Sequence, residues 1–204
     1  MRVLEERLGR IRGELLELHA LSKKAVALCL DAMYGEEVAK YEVEKIERQA
    51  DVMNSDIEND ALSAVALFQP VAKDLRFLAT VMRLSGNYER ITDLALKIAR
   101  FSVESDFCRG KIEAMHRTVI EMFDIVEAAL KGDMRNMRDE LVFRDDRIDR
   151  LKEEVIKDAE GRTLDMDTLS IVFSATHLER IGDILSKNGA RIIFIEEGRR
   201  VWIK

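Results

Sequence analysis

A single proline, ten glycines, two cysteines and few aromatics set the first limits on this chain of 204 residues. With one proline, long helices run uninterrupted, because proline is the strongest helix breaker. Two cysteines, Cys29 and Cys108, lie far apart with no Cys-x-x-Cys spacing. They exclude a disulfide scaffold and a cysteine zinc site, and read as two reduced thiols suited to a cytoplasmic protein. Aromatics make up 6% of the chain and the net charge is −6. No basic run is interleaved with aromatics, so the basic footprint that nucleic-acid binding needs is missing. The longest uncharged run, Ala61 to Ala72, contains Pro70 and is too short to span a bilayer. The N-terminus, Met1 to Arg7, is charged and helix-periodic, which excludes a signal peptide at that point.

What is present is a helix-forming composition, 47% hydrophobic and 35% charged, rich in Ala, Leu, Glu, Lys and Arg. Apolar residues recur at Leu4, Leu8, Ile11, Leu15, Leu18, Leu21, Ala25, Leu28 and Ala32. That three/four alternation predicts one helix over 2–34, stopped by Gly35. A second helix is predicted over about 36–67, ending before Pro70. A third opens at Pro70 or Val71 and continues to about Val103. Ser105 and Asp106 are candidate caps, and Gly110 marks a break. Helices over about 109–131, 133–160 and 166–197 follow, punctuated by Gly132, Gly161 and Gly198, with Asp165 or Asp167 capping the last. The tail Arg199 to Lys204 reads as a frayed or docked end. The nine methionines fall mostly at core spacing and serve as gap-fillers.

The two halves repeat. Asn87-Tyr88-Glu89-Arg90-Ile91-Thr92-Asp93 is matched by His177-Leu178-Glu179-Arg180-Ile181-Gly182-Asp183, 90 residues on. His19 pairs with His116 and Gly35 with Gly132 at an offset of 97, and Glu47/Asp51 with Asp145/Asp149 at 98. The falling offset places a deletion of about eight residues in the second half, at the turn between its second and third helices. The expected fold is all-α: two tandem antiparallel three-helix bundles, six helices in all, over residues 1–104 and 105–204.

Each half carries two acidic i, i+4 pairs on sequence-adjacent helices: Glu47/Asp51 with Glu89/Asp93, and Asp145/Asp149 with Glu179/Asp183. A like-charge pair at that spacing costs an isolated helix about 0.2–0.5 kcal/mol. Antiparallel neighbours can bring two such pairs to one surface. Four converging carboxylates suit a hard cation that prefers oxygen. The competing reading is a solvated acidic face balanced by basic neighbours. Lys97 and Lys187, each four residues after an Asp, favour it by supplying counter-charge on the same stripe. Arg90 and Arg180 point about 100° away from the carboxylates and are candidates to clamp a neighbouring helix or a partner carboxylate. His177 lies across its helix from Glu179 and reads as a polar edge residue.

The stretch Gln69-Pro70-Val71-Ala72-Lys73-Asp74-Leu75-Arg76, two copies of Glu-Arg-Ile-x-Asp and six helices in two similar halves together resemble the PhoU family of phosphate-uptake regulators, over essentially the whole chain. The resemblance implies two three-helix bundles side by side, with metal clusters of iron, zinc or magnesium on the acidic motifs. That maps onto Glu89, Asp93, Glu179 and Asp183, with Glu47, Asp51, Asp145 and Asp149 as companions. Asp74, Arg76, Arg90 and Arg180 fall within its motifs as partner-binding candidates. It further implies a cytoplasmic, non-enzymatic, dimeric regulator that couples a phosphate ABC transporter to a sensor kinase. The chain departs from the pattern at Asn87, where an Asp is common, at Thr92, and at Lys97 and Lys187, where an Asn is usual, which bears on metal occupancy. The rival reading is a ferritin-like di-iron protein, suggested by Glu113-x-x-His116. Its repeat partner has Leu16 opposite Glu113, and a di-iron site needs two such motifs.

Overall fold

The computed structural model describes residues 2–203, with the backbone alone for Arg2. Met1 and Lys204, which end two of the stretches read above, lie outside the described residues. Six helices account for the fold: α1 (Arg2–Met33), α2 (Glu37–Phe68), α3 (Ala72–Ala99), α4 (Arg109–Leu130), α5 (Met137–Ala159) and α6 (Met166–Glu197). No strand is present among the described residues.

α1, α2 and α3 pack on one another, as do α4, α5 and α6, and the two triplets join where α3 meets α6 and α1 meets α4. α2 and α5 touch only their own triplet. Burial follows from that placement. α2 buries seven residues in four and a half heptads of chain, whereas the shorter α3 buries fourteen, from Phe77 to Ala99. α3 and α6 are covered on two sides, so small or hydroxylated residues (Ser85, Thr92, Ser174, Gly182, Ser186) enter their buried faces. One core is continuous across both triplets, with Ile11, Leu18, Leu84, Ile91, Phe123, Leu178 and Leu185 fully covered. Each such side chain contributes about 1.5–3 kcal/mol by leaving water.

The α1–α4 contact obeys the repeat. His19 of α1 meets Phe123 of α4 edge-on, ring centroids 5.2 Å apart. His116 of α4 donates from Nε2 to the Val26 carbonyl of α1 at 2.8 Å. Adding the offset of 97 converts one pair into the other, so the halves are related by an approximate two-fold axis between the triplets.

The helix ends differ from the sequence reading in three places. α3 stops at Ala99 rather than near Val103, because the chain turns there to let the Val103 amide bond the Met33 carbonyl at 3.1 Å and to bury Val103. α5 starts at Met137 rather than 133, after left-handed turns at Gly132 and Asn136. The deletion in the second half falls within the helices, not in the turn: α2 has 32 residues and α5 has 23. The α5–α6 connection is in fact longer than the α2–α3 one. Of the two capping candidates for α6, Asp165 is the cap, accepting from the Thr168 amide at 2.8 Å. Asp167 instead accepts from the backbone amides of Glu104 and Ser105, tying the inter-repeat linker to α6. The tail is docked at Ile203, which is buried against the α6 face at Gly189, while Trp202 stays exposed.

Candidate functional site

In the first repeat the seam between α2 and α3 gathers the predicted acidic residues. Glu47 and Asp51 stand on α2, Glu89 and Asp93 on α3. Burial pushes the carboxyl groups of Glu47 and Glu89 above the ordinary glutamate range, and Asp51 and Asp93 push both further. Glu47 adds to the upward push on Glu89. The four are therefore close enough to feel one another, as antiparallel packing of two i, i+4 pairs requires. Lys97 donates to Asp93 at 2.7 Å from the solvent side, and Arg100, Arg48 and Arg90 offset the upward push on Glu47 and Glu89 only in part. A pair as exposed as Lys97 and Asp93 contributes little.

The second repeat handles the same residues differently. Lys152 of α5 reaches Glu179 of α6 at 3.0 Å, both half-buried. Lys187 pairs with Asp183 at 3.3 Å. Asp145 is buried and accepts from Ser186 Oγ at 3.3 Å. The residue 98 positions before Lys152 is Asn54, whose buried side-chain oxygen has no hydrogen-bond partner among the described residues. An ammonium thus stands within the second acidic set, and an unsatisfied amide oxygen beside the first.

These donors bear differently on a hard cation. Among the described residues, no three His, Cys, Asp or Glu side chains share a point where one ion would sit. The first set nonetheless fits such an ion in kind: four carboxylates, mutual repulsion, and an orphaned amide oxygen alongside. The second set does not fit, since Lys152 and Lys187 already supply the positive charge.

The remaining sequence candidates separate into two groups. Arg76 donates from Nε and Nη2 to the Ile195 carbonyl at 3.2 and 3.1 Å, satisfying an orphan acceptor at the α6 C-terminus. With the ion pair between Lys73 and Glu196, it clasps the two repeats, so Arg76 is used inside the molecule. Asp74 lies in the first turn of α3, where a negative charge suits the helix dipole. Arg90 and Arg180 are exposed. Neither clamps a neighbouring helix, and neither forms an ion pair among the described residues.

The residues of the di-iron reading have other partners. Glu113 pairs with Arg109 at 3.5 Å, and His116 Nε2 is spent on the Val26 carbonyl. His19 Nδ1 lies 2.9 Å from Tyr88 Oη in the core. His177 stacks on Phe101 with ring centroids 6.2 Å apart.

Sequence reasoning missed Lys152. It noticed the lysines one turn along the same helix, but Lys152 comes from the neighbouring one. The signal was the 98-residue offset itself, which sets a lysine in one half against an asparagine in the other.

The class of protein is set by this geometry: an all-α tandem repeat of three-helix bundles with an acidic seam in each half. The PhoU domain matches the chain twice, at residues 15–102 and 112–192. The chain belongs to the PhoU family. It is 38% identical over 203 residues, all of both chains, to a protein of Archaeoglobus fulgidus named phosphate-specific transport system accessory protein PhoU homolog. A homolog of the same name from Synechocystis is 26% identical, covering 96% of this chain and 92% of its own. The crystal structure of PhoU from Pseudomonas aeruginosa superposes with a TM-score of 0.88 at 22% identity, covering 96% of this chain and 99% of its own. The corresponding regulatory protein from Streptococcus pneumoniae gives a TM-score of 0.84 at 20% identity, covering 97% of this chain and 99% of its own. These two establish a shared fold.

Proposed function

We propose that this protein is a cytoplasmic, non-enzymatic regulator of phosphate uptake that couples a phosphate ABC transporter to phosphate signalling through protein–protein contacts. The full-length identity to a protein named as an accessory of phosphate-specific transport supports the reading. No helix among the described residues is long and apolar enough to cross a membrane, so contact with a transporter is read as docking from outside the bilayer.

The observation that carries the docking role is the α2–α3 seam, where burial and acidic neighbours outweigh the basic groups acting on Glu47 and Glu89. Glu47 and Glu89 hold their protons more tightly than ordinary glutamates because burial and their acidic neighbours disfavour further negative charge. A positive group arriving there relieves that cost. A basic side chain of the transporter ATPase or of a sensor kinase would do so directly and speed encounter at low salt. Glu47, Asp51, Glu89 and Asp93 would also hold a hard cation such as Mg, Fe or Zn, which would supply positive charge between seam and partner. Exposed Arg90, one position from Glu89, offers a donor to a partner carboxylate at the rim. The second seam, balanced by Lys152 and Lys187, serves as the neutral half of the pair. A homodimer is part of the same reading.

Pull-down of transporter ATPase and sensor kinase tests it. Changing Glu89 and Asp93 to alanine is expected to abolish capture and its salt dependence, while changing Glu179 and Asp183 leaves capture largely intact. Equal capture by all three proteins would remove the seam from the mechanism.

A further inference from the structure

The seam between α3 and α6 is built twice from the same repeat positions. At one end Phe101, two residues past the end of α3, stacks on Phe173 of α6, ring centroids 6.3 Å apart and 17° from parallel. The 90-residue offset turns that pair into Arg191 of α6 and Arg83 of α3. Where one end of the seam stacks two phenyl rings, the other end brings up two guanidinium groups. Contacts on either side fix their level. Asn87, one turn beyond Arg83, donates to Asn188, one turn short of Arg191, at 2.6 Å. Arg76, two turns before Arg83, bonds the carbonyl of Ile195, one turn past Arg191. Arg83 and Arg191 lie between these two clasps.

A third cation joins them. Arg200, on the segment after α6, acts on Arg191 together with Arg83, and with burial the two disfavour its charge. Arginine does not shed its proton in a protein, so a negative group reaching the half-buried Arg191 would relieve the repulsion. None comes from the neighbouring described residues: Glu196 is held by Lys73, Glu197 by Arg199 and Asp183 by Lys187. Arg191 Nε is buried and has no hydrogen-bond partner among the described residues. Arg83, Arg191 and Arg200 form no ion pair among them either. The other half, at the equivalent positions, avoids the problem with phenylalanine.

We propose that Arg83, Arg191 and Arg200 form a binding site for a phosphate-type oxyanion at the α3–α6 seam. Guanidinium forks match the oxygens of such a group two at a time, and three unpaired cations call for more than one negative charge. The site stands apart from the docking role above, since none of its residues lies in the acidic seam.

Such a group comes either as a free anion or as a lipid headgroup, and the test separates them. The full chain is titrated calorimetrically with inorganic phosphate and with pyrophosphate at constant ionic strength and pH 7.5, and sedimented with phosphatidylglycerol vesicles. Saturable binding to at least one probe is expected, with the soluble or the vesicle arm naming the source. Arg191→Gln and Arg83→Gln are each expected to weaken it at least tenfold, and Arg138→Gln, on an exposed face of α5, to leave it within twofold. Arg83 is exposed, so its variant keeps the test valid if Arg191→Gln folds poorly. The site is overturned if no probe binds saturably, if binding survives the Arg83 change, or if Arg138→Gln weakens it equally.

Discussion

Lys152 of α5 reaches Glu179 of α6 at 3.0 Å, and the place it would take in the first repeat is held by Asn54. That exchange puts an ammonium into one seam where the other has an uncharged amide. Asn54→Lys is expected to stabilise the protein at neutral pH by up to about 1 kcal/mol, the upper range for partly exposed ion pairs, and to suppress partner capture. Lys152→Asn is expected to destabilise by a similar amount. Urea denaturation of both variants measures this; a destabilising Asn54→Lys or a stabilising Lys152→Asn would show that the seams are not alternatives of one design.

Glu89 gives a pH signature. Its carboxyl is raised above the ordinary value near 4.5 in the folded protein. A raised carboxylate costs stability above its folded pKa, and the cost fades as pH falls toward the unfolded value. Glu89→Gln is thus expected to be more stable than the parent at pH 7, with the difference closing by about pH 4.5. Thermal melts across that window check the sign, and a difference that widens on acidification would contradict it.

The six helices were legible because glycine stops and three/four spacing agree along the whole chain. The α2–α3 seam was legible too, since Glu47/Asp51 and Glu89/Asp93 sit on helices that a short turn makes neighbours. Lys152 and the Arg83/Arg191 pair were not, because both depend on which residues of different helices share a level. The Asn87–Asn188 and Phe101–Phe173 contacts set that register, and hydrophobic periodicity within one helix does not encode it. The place of the deletion was misread for a related reason: an offset marks where residues are missing between two motifs, not whether helix or turn gave them up.

His19 predicts acid lability of opposite sign to Glu89. Burial pushes its imidazole down to about 4 from an ordinary 6.5. A lowered histidine contributes stability in full above about pH 6.5 and loses it as pH falls toward 4. The loss amounts to roughly 3 kcal/mol over that window. His19→Gln is expected to lower stability at pH 7 and to flatten the decline below pH 6.5, read from urea midpoints at several pH values. An unchanged slope would place the acid sensitivity elsewhere.

Arg76→Ala is expected to cost about 1.5–3 kcal/mol, the range for hydrogen bonds from a charged donor. Both bonds to the Ile195 carbonyl vanish together, and the start of α3 loses its hold on the end of α6. Amide exchange should rise first over 190–197. Stability close to that of the parent would mean the Lys73–Glu196 pair suffices.

The greater length of α2 makes the particle lopsided. At 1.5 Å per residue the seven residues that α2 adds at its C-terminal end, 62–68, form a ledge of roughly 10 Å that α5 lacks, and the ledge carries the exposed aliphatic side chains Leu62 and Leu67. A partner that grips the ledge engages the first repeat and not the second, so each bound copy would present the same end to it.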